Sequence, residues 1–263
     1  MHSQITWKEL VSEVLQQLGG EASLYDIYGL LENHPRRPQT ATWRATVRRV
    51  LRQYKVFEPF LSSKGKAAYR YVAPTPLQFP TAANMGFDPH GEQQGMLLQL
   101  GRICGYETFT NATDRTIRKM GAIPISQFAS VRNDREGLRN LPLDRIRNTD
   151  VLWLSEDDQG LYPRYAFEVE ETTKVKNGLL RLLKIPLRYG TMLYVIGRSA
   201  KESELFNRYM AHSPFREHAE RMRFRYYDDV TGFYTHALAF DGTLERFGVA
   251  LNMGRGHGIP SPS

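Results

Sequence analysis

Along the chain, stretches with an apolar residue every three or four positions alternate with stretches where every second residue is apolar. Trp7, Leu10, Val11, Val14, Leu15 and Leu18 fall at helical spacing, and Gly19-Gly20 follows as a stop. Ser23 offers an N-cap with Asp26 three residues on. Leu24, Ile27, Tyr28 and Leu31 then give a second, shorter stripe that ends before Pro35. After Pro38, Thr40 or Thr42 can cap a third helix whose inner stripe is Trp43, Val47, Val50, Leu51 and Tyr54. FEPFLSSKGKAAYRYV has strand-like ends around the basic turn Ser63-Lys64-Gly65-Lys66.

Three helices followed by a basic hairpin predict a winged helix-turn-helix over residues 1–75. A proline-bearing, charge-poor stretch follows, and 76–91 reads as a linker. The second module is expected over 92–252, with a flexible tail at 253–263. It opens with an amphipathic helix marked by Met96, Leu97, Leu100 and Ile103 or Cys104; Gly105 ends it before a short strand, Tyr106 to Thr110. Residues 111–149 are polar and basic and predict a helix or a long loop. Val151 to Leu154 reads as a strand, Glu156 to Gly160 as a turn, and Tyr162 to Glu170 as a returning strand. NGLLRLLKIPLRYG starts as a helix and ends near Pro186, TMLYVIG is a buried strand, and RMRFRYYDD alternates like another. The fold class expected is α+β: a winged helix, then a mixed sheet flanked by helices.

Charge sharpens the first module. The net charge is +7 over 263 residues. Arg36, Arg37, Arg44, Arg48, Arg49, Arg52, Lys55, Lys64, Lys66 and Arg70 crowd one stretch in which Glu58 is the only acid. Arg44, Arg48 and Arg52 recur every fourth position, which stacks them on one side of the third helix with Arg49 beside them. Such a cluster is the footprint expected for a polyanion, and double-stranded DNA is the expected partner. Arg36, Arg37, Thr42 at the helix start, the four helix arginines, Lys64 and Lys66 are the candidate contacts. The bland alternative is a protein-interaction winged helix whose arginines only solvate it.

Other features exclude functions. One cysteine, Cys104, rules out an intramolecular disulfide and a multi-cysteine zinc site. No apolar run reaches the roughly 18 residues of a membrane helix, and MHSQITWKEL lacks the layout of a signal peptide. A cytoplasmic location without membrane contact is expected. No Walker motif and no Gly-x-Ser-x-Gly elbow occurs, so no nucleotide cofactor is expected. The histidines show no paired metal spacing. His90, near the start of the second module, reads as a surface or capping residue, though close enough to the opening helix to touch a site there.

The chemistry gathers in YAFEVEETTKV. Glu168 and Glu170 sit two apart in a strand, so their carboxylates share a face about 7 Å apart at the backbone. Asp150 begins the neighbouring strand, and adjacent strands run about 4.8 Å apart, so three carboxylates converge. They repel unless a hard cation neutralises them, and Mg²⁺ is bound in this way.

NTDVLWL…YAFEVEETTKVKNGLLRL, preceded by MLLQLGRICGYETF, resembles the PD-(D/E)XK nuclease superfamily, specifically restriction-endonuclease-like proteins with an N-terminal winged helix. The resemblance covers about 90–200 by motif and 5–72 by pattern. It implies an endodeoxyribonuclease that uses Mg²⁺, with Mn²⁺ as a substitute. Asp150 matches the first metal-binding acid and Glu168 the second. Glu170 stands where the family has a water-orienting lysine, so it is expected to ligate metal or position water, with Lys174 or Lys176 supplying positive charge. Glu92 is the match for an acid on the first helix, with Asp88 as alternate. Ends with 5′-phosphate and 3′-hydroxyl follow from the resemblance. Cutting both strands at one place requires two sites, hence a homodimer. The rivals are a DNA-binding regulator that keeps the fold without turnover, and a repair or defence nuclease acting on modified or branched DNA.

Overall fold

The computed structural model describes residues 5–63, 65–74, 88–132, 146–157, 160–171 and 174–246. Two units form: Met1–Pro76 with Ser130–Arg139, and Leu77–Ala129 with Asn140–Ser263. Lys64, residues 76–87 of the expected linker and the expected tail at 253–263 lie outside the described residues.

In the first unit, reciprocal caps start two helices, and the second is the one the sequence predicts. Thr6 and Glu9 cap α1 (Trp7–Gln17), and Ser23 and Asp26 cap α2 (Leu24–Glu32). Between them Gly19 and Gly20, at φ of 83° and 88°, turn the chain into β1 (Glu21–Ser23). α3 (Trp43–Gln53) has Thr42 at its N-cap position without a side-chain cap bond. β2 (Phe57–Leu61) and β3 (Ala67–Tyr71) form the hairpin, and the antiparallel sheet runs β1-β3-β2. Leu10, Val14, Ile27, Leu31, Val47, Val50 and Leu51 are fully buried, each worth roughly 1.5–3 kcal/mol relative to exposure. Residues beyond the expected linker also join this unit: Val131 bridges to Tyr54, and Arg132 Nη2 donates to the Phe57 carbonyl.

The second unit begins with α4 (Pro89–Ile103), which starts inside the stretch read as linker because Asp88 caps it and Pro89 fits its first turn. β4 (Glu107–Thr110) follows, then α5 (Asp114–Ile117) and the small antiparallel pair β5 (Lys119–Met120) and β6 (Ile123–Pro124). β7 (Val151–Asp157) and β8 (Gly160–Glu170) form the long hairpin. After them come α6 (Val175–Leu182), β9 (Met192–Gly197), α7 (Ala200–Met210), β10 (Met222–Tyr226) and α8 (Tyr227–Arg246). The sheet order is β10-β9-β8-β7-β4, with β8, β9 and β10 mutually parallel and β7 antiparallel to β8 and β4.

β8 is the central strand, and its alternation builds two layers. Phe167 and Val169 join a core with Val151, Trp153, Ile196, Met96, Leu97 and Leu100 of α4, and Tyr227, Val230 and Tyr234 of α8. The alternate residues, including Glu168 and Glu170, belong to the opposite face, where α6 packs. α7 and α8 extend the predicted plan. Ser199 and Glu202 form a capping box for α7. In α8, Asp228 and Asp229 complement the helix N-terminus and Asp229 Oδ2 accepts from the Tyr226 amide at 2.8 Å, so the chain turns helical immediately after a strand.

Candidate active site

Register places the first carboxylates. Val151 of β7 pairs with Phe167 of β8, so Asp150, one residue earlier, reaches the Glu168–Val169 step. There Asp150 Oδ2 accepts the Val169 amide at 2.9 Å. Asp150 is 6% exposed, Glu170 7% and Glu168 0%, so the acidic face of the strand is dry. Burial, then the Asp150 charge, push the Glu168 pKa well above its ordinary value, against the pull of Arg181. Glu170 is pushed up to about 7, again by burial first and by Asp150, while Arg181 and His90 pull it down.

Arg181 supplies the counter-charge. Its Nε donates to Glu168 Oε2 at 2.7 Å, its Nη2 also contacts that oxygen, and Nη2 lies 3.3 Å from Glu170 Oε1. It comes from the last turn of α6, and helical side chains lean toward their N-terminus, which is the end nearest the glutamates. Gly178 allows α6 to come this close: a Cβ there would lie 2.5 Å from Glu170 Oε1 and 3.3 Å from Glu168 Cβ. Burial works against the Arg181 charge, but the bond to Glu168 and the charges of Glu168, Asp150 and Glu170 raise its pKa further, so it is a permanent cation.

A second group meets Asp150 from the other side. Ligand atoms of His90, Asp114 and Asp150 lie within 4.8 Å of one another. His90 Nε2 is 3.5 Å from Asp150 Oδ2. Asn111 Nδ2 donates to Asp114 Oδ2 at 2.7 Å and reaches Asp150 Oδ1 at 3.4 Å, and Gln94 Nε2 donates to Asp114 Oδ2 at 2.7 Å. Among the polar atoms buried here without a hydrogen bond are Glu168 Oε1, His90 Nε2 and Gln94 Oε1. Unpaired buried polar atoms are costly, and the His90 nitrogen lies within the group whose ligand atoms are close enough to share one divalent cation. The donor set of carboxylates and one imidazole fits such an ion.

The other predicted residues fall as follows. Lys174, at the N-cap of α6, and Lys176 are exposed, and the cation on the glutamates is Arg181. Glu92 is half-buried and is not a member of the group formed by His90, Asp114 and Asp150. Asp88 caps α4 and pairs with Arg118 at 2.8 Å. In the first unit, acids from outside the basic stretch neutralise part of it, which corrects the impression that Glu58 alone opposes it. Arg36 pairs with Glu13, Arg44 with Glu32 at 2.9 Å and Arg70 with Glu21 at 2.5 Å. Arg37 lies over Trp43 and donates to the Glu32 carbonyl, Arg48 donates to the Tyr28 hydroxyl at 3.1 Å, and Arg49 to Gln53 at 3.0 Å. Thr42, Arg44, Arg48, Arg52 and Lys66 are exposed.

Asp114 and Arg181 escape the sequence reading, which names His90 as close enough to touch the site but reads it as a surface or capping residue. His90 lacks any spaced partner. Asp114 lies in the stretch without periodicity, where its one local signal is Asn111, whose Oδ1 accepts the Asp114 amide at 2.8 Å. Arg181 has a plain signal in hindsight, since it is the only charged residue between Gly178 and Leu183.

The described residues of the second unit thus form a five-stranded mixed sheet flanked by helices, with buried carboxylates converging at the end of its central hairpin. Residues 77–247 match the family of the type II restriction enzyme NmeDI C-terminal domain. The match spans more than half of the chain, and the protein belongs to that family. No curated protein and no solved structure matches the sequence. Among the described residues no helix is long and apolar enough to cross a membrane.

Proposed function

We propose that the protein is a Mg²⁺-dependent endodeoxyribonuclease of the PD-(D/E)XK superfamily, with Mn²⁺ able to replace Mg²⁺, that cuts double-stranded DNA as a homodimer. The observation that carries the reading is the buried convergence of Asp150 with Glu168, whose Oε1 has no partner. Asp150 and Glu168 hold the ion, and His90 and Asp114 lie close enough to Asp150 to complete its shell. When bound, such an ion polarises a phosphodiester and lowers the pKa of a bound water. The amide of Val169 fixes the Asp150 carboxylate, and Arg181 fixes the two glutamates. Glu170, on the rim of this group, orients the attacking water as an acceptor. Lys174 and Lys176, exposed at the start of α6, are suited to DNA phosphates.

In this reading the first unit is a winged helix, with α3 entering the major groove and the β2–β3 hairpin lying on the backbone. Exposed Arg48, Arg52 and Lys66 support it.

The test is cleavage of plasmid DNA, unmodified and base-modified, with Mg²⁺, Mn²⁺ or EDTA, beside Asp150→Asn and Glu168→Ala. Discrete fragments that require the ion and vanish in both variants support the reading. Cutting confined to modified DNA assigns a defence nuclease instead. The Arg181 clamp on both glutamates favours a second reading, a regulator that binds DNA without turnover. Salt-sensitive binding without cleavage across the whole panel would establish it.

A further inference from the structure

The glutamate pair and the Asp150 group share one neighbourhood but have different partners. Glu168 Oε2 and Glu170 Oε1 both face the Arg181 guanidinium, at 2.7 Å from Nε and 3.3 Å from Nη2. Glu168 Oε1 has no hydrogen-bond partner, and it is the Oε2 atom that the guanidinium takes. On the other acids, Arg118 lies 3.8 Å from Asp114 and is paired with Asp88.

We infer that Arg181 occupies the place of a second cation, so that the centre takes one exchangeable divalent ion per chain. The inference rests on the ion-dependent reading above.

Two physical facts support it. First, charge: Arg181 is already a cation held between Glu168 and Glu170. A divalent ion placed against it would set two like charges side by side in a buried site, which is unfavourable. Second, geometry: a guanidinium is planar and binds carboxylates through a fixed fork. Here it covers an oxygen of each glutamate, the oxygens that a second ion bridging the pair needs. The packing of α6 through Gly178 holds the clamp in place, because no side chain separates that helix from the glutamates.

The experiment is Mn²⁺ binding to the full DNA-free chain, counted by titration calorimetry and by electron paramagnetic resonance, with circular dichroism to confirm folding. Wild type is expected to bind one ion per chain and Asp150→Asn none. Arg181→Gln, which removes the charge but keeps a polar planar group, is expected to bind two, with spin coupling between neighbouring Mn²⁺ ions. Arg181→Lys, which keeps the charge, returns the count to one. Two ions on wild type overturn the inference, as does a folded Arg181→Gln that still binds one. Should Arg181→Gln not fold, the wild-type and Arg181→Lys counts decide. No ion on wild type removes the ion-dependent reading itself.

Discussion

Gly178→Ala tests whether the approach of α6 holds the glutamates in place. In an exposed helix interior this change is favourable by roughly 1 kcal/mol, because alanine loses less backbone freedom on folding. Here the new Cβ would sit 2.5 Å from Glu170 Oε1, about 1 Å inside ordinary contact. The carboxylate has to withdraw, and its 3.3 Å contact with Arg181 Nη2 has little length to spare. A lost hydrogen bond between charged groups costs about 1.5–3 kcal/mol. The net is a destabilisation of about 0.5–2 kcal/mol, or a drop in Tm of roughly 1–8 °C for a unit of this size. Gly232 in α8 is the control, since a Cβ there meets nothing within 4 Å. Gly232→Ala is expected to leave Tm unchanged or raise it. Thermal melts of both variants in EDTA make the comparison, with cleavage assayed alongside; Gly178→Ala should also lose at least tenfold in rate. If the two variants melt together, the close approach of α6 does not position Glu170.

Further outcomes can be checked independently. Asp150→Asn abolishes cleavage yet raises the stability of the ion-free protein by on the order of 1 kcal/mol, as melts in EDTA show, because it removes a charge that disfavours ionised Glu168 and Glu170. Leu179→Ala, at a fully buried position of α6, costs about 2–5 kcal/mol by denaturant unfolding. Arg52→Ala weakens DNA binding similarly on all sequences and reduces the slope of affinity against salt by about one counterion; a change confined to one sequence contradicts a phosphate role. Burial and Arg221 lower the pKa of His218, whose Nδ1 lies 3.3 Å from Arg221 Nε. Its contribution to stability is therefore present above the unfolded histidine pKa and is lost as pH falls through the lower folded value. His218→Asn should flatten stability against pH in that acidic window.

Much of the molecule was legible along the chain. Ser23 with Asp26, the stripe of α3 and the alternation of β8 each express a rule that operates over a few residues, so they announce themselves without tertiary context. The same locality makes Asp150, Glu168 and Glu170 readable as one group, because strand period and hairpin pairing fix their mutual position. Start points were less legible: Asp88 and Pro89 begin α4 inside a proline-bearing stretch that reads as linker, since a proline marks a helix start and a loop equally well. Tyr227 continues a strand into a helix with no break in hydrophobicity, and only burial of Val230, Tyr234 and Leu238 against the core settles its period.

What the tertiary structure decided is the set of charge partners. A window of sequence counts charges but not distances, so the stretch from Arg36 to Arg70 reads as nearly unopposed. The fold brings Glu13, Glu21 and Glu32 to it from other elements. The same holds at the site. The sequence by itself determined which acids converge, because that follows from strand geometry. That their cation is Arg181 rather than Lys174 or Lys176, and that His90 and Asp114 meet Asp150, depends on how α6, α4 and α5 pack, and on Gly178, which lets one helix reach buried carboxylates that no local rule connects to it.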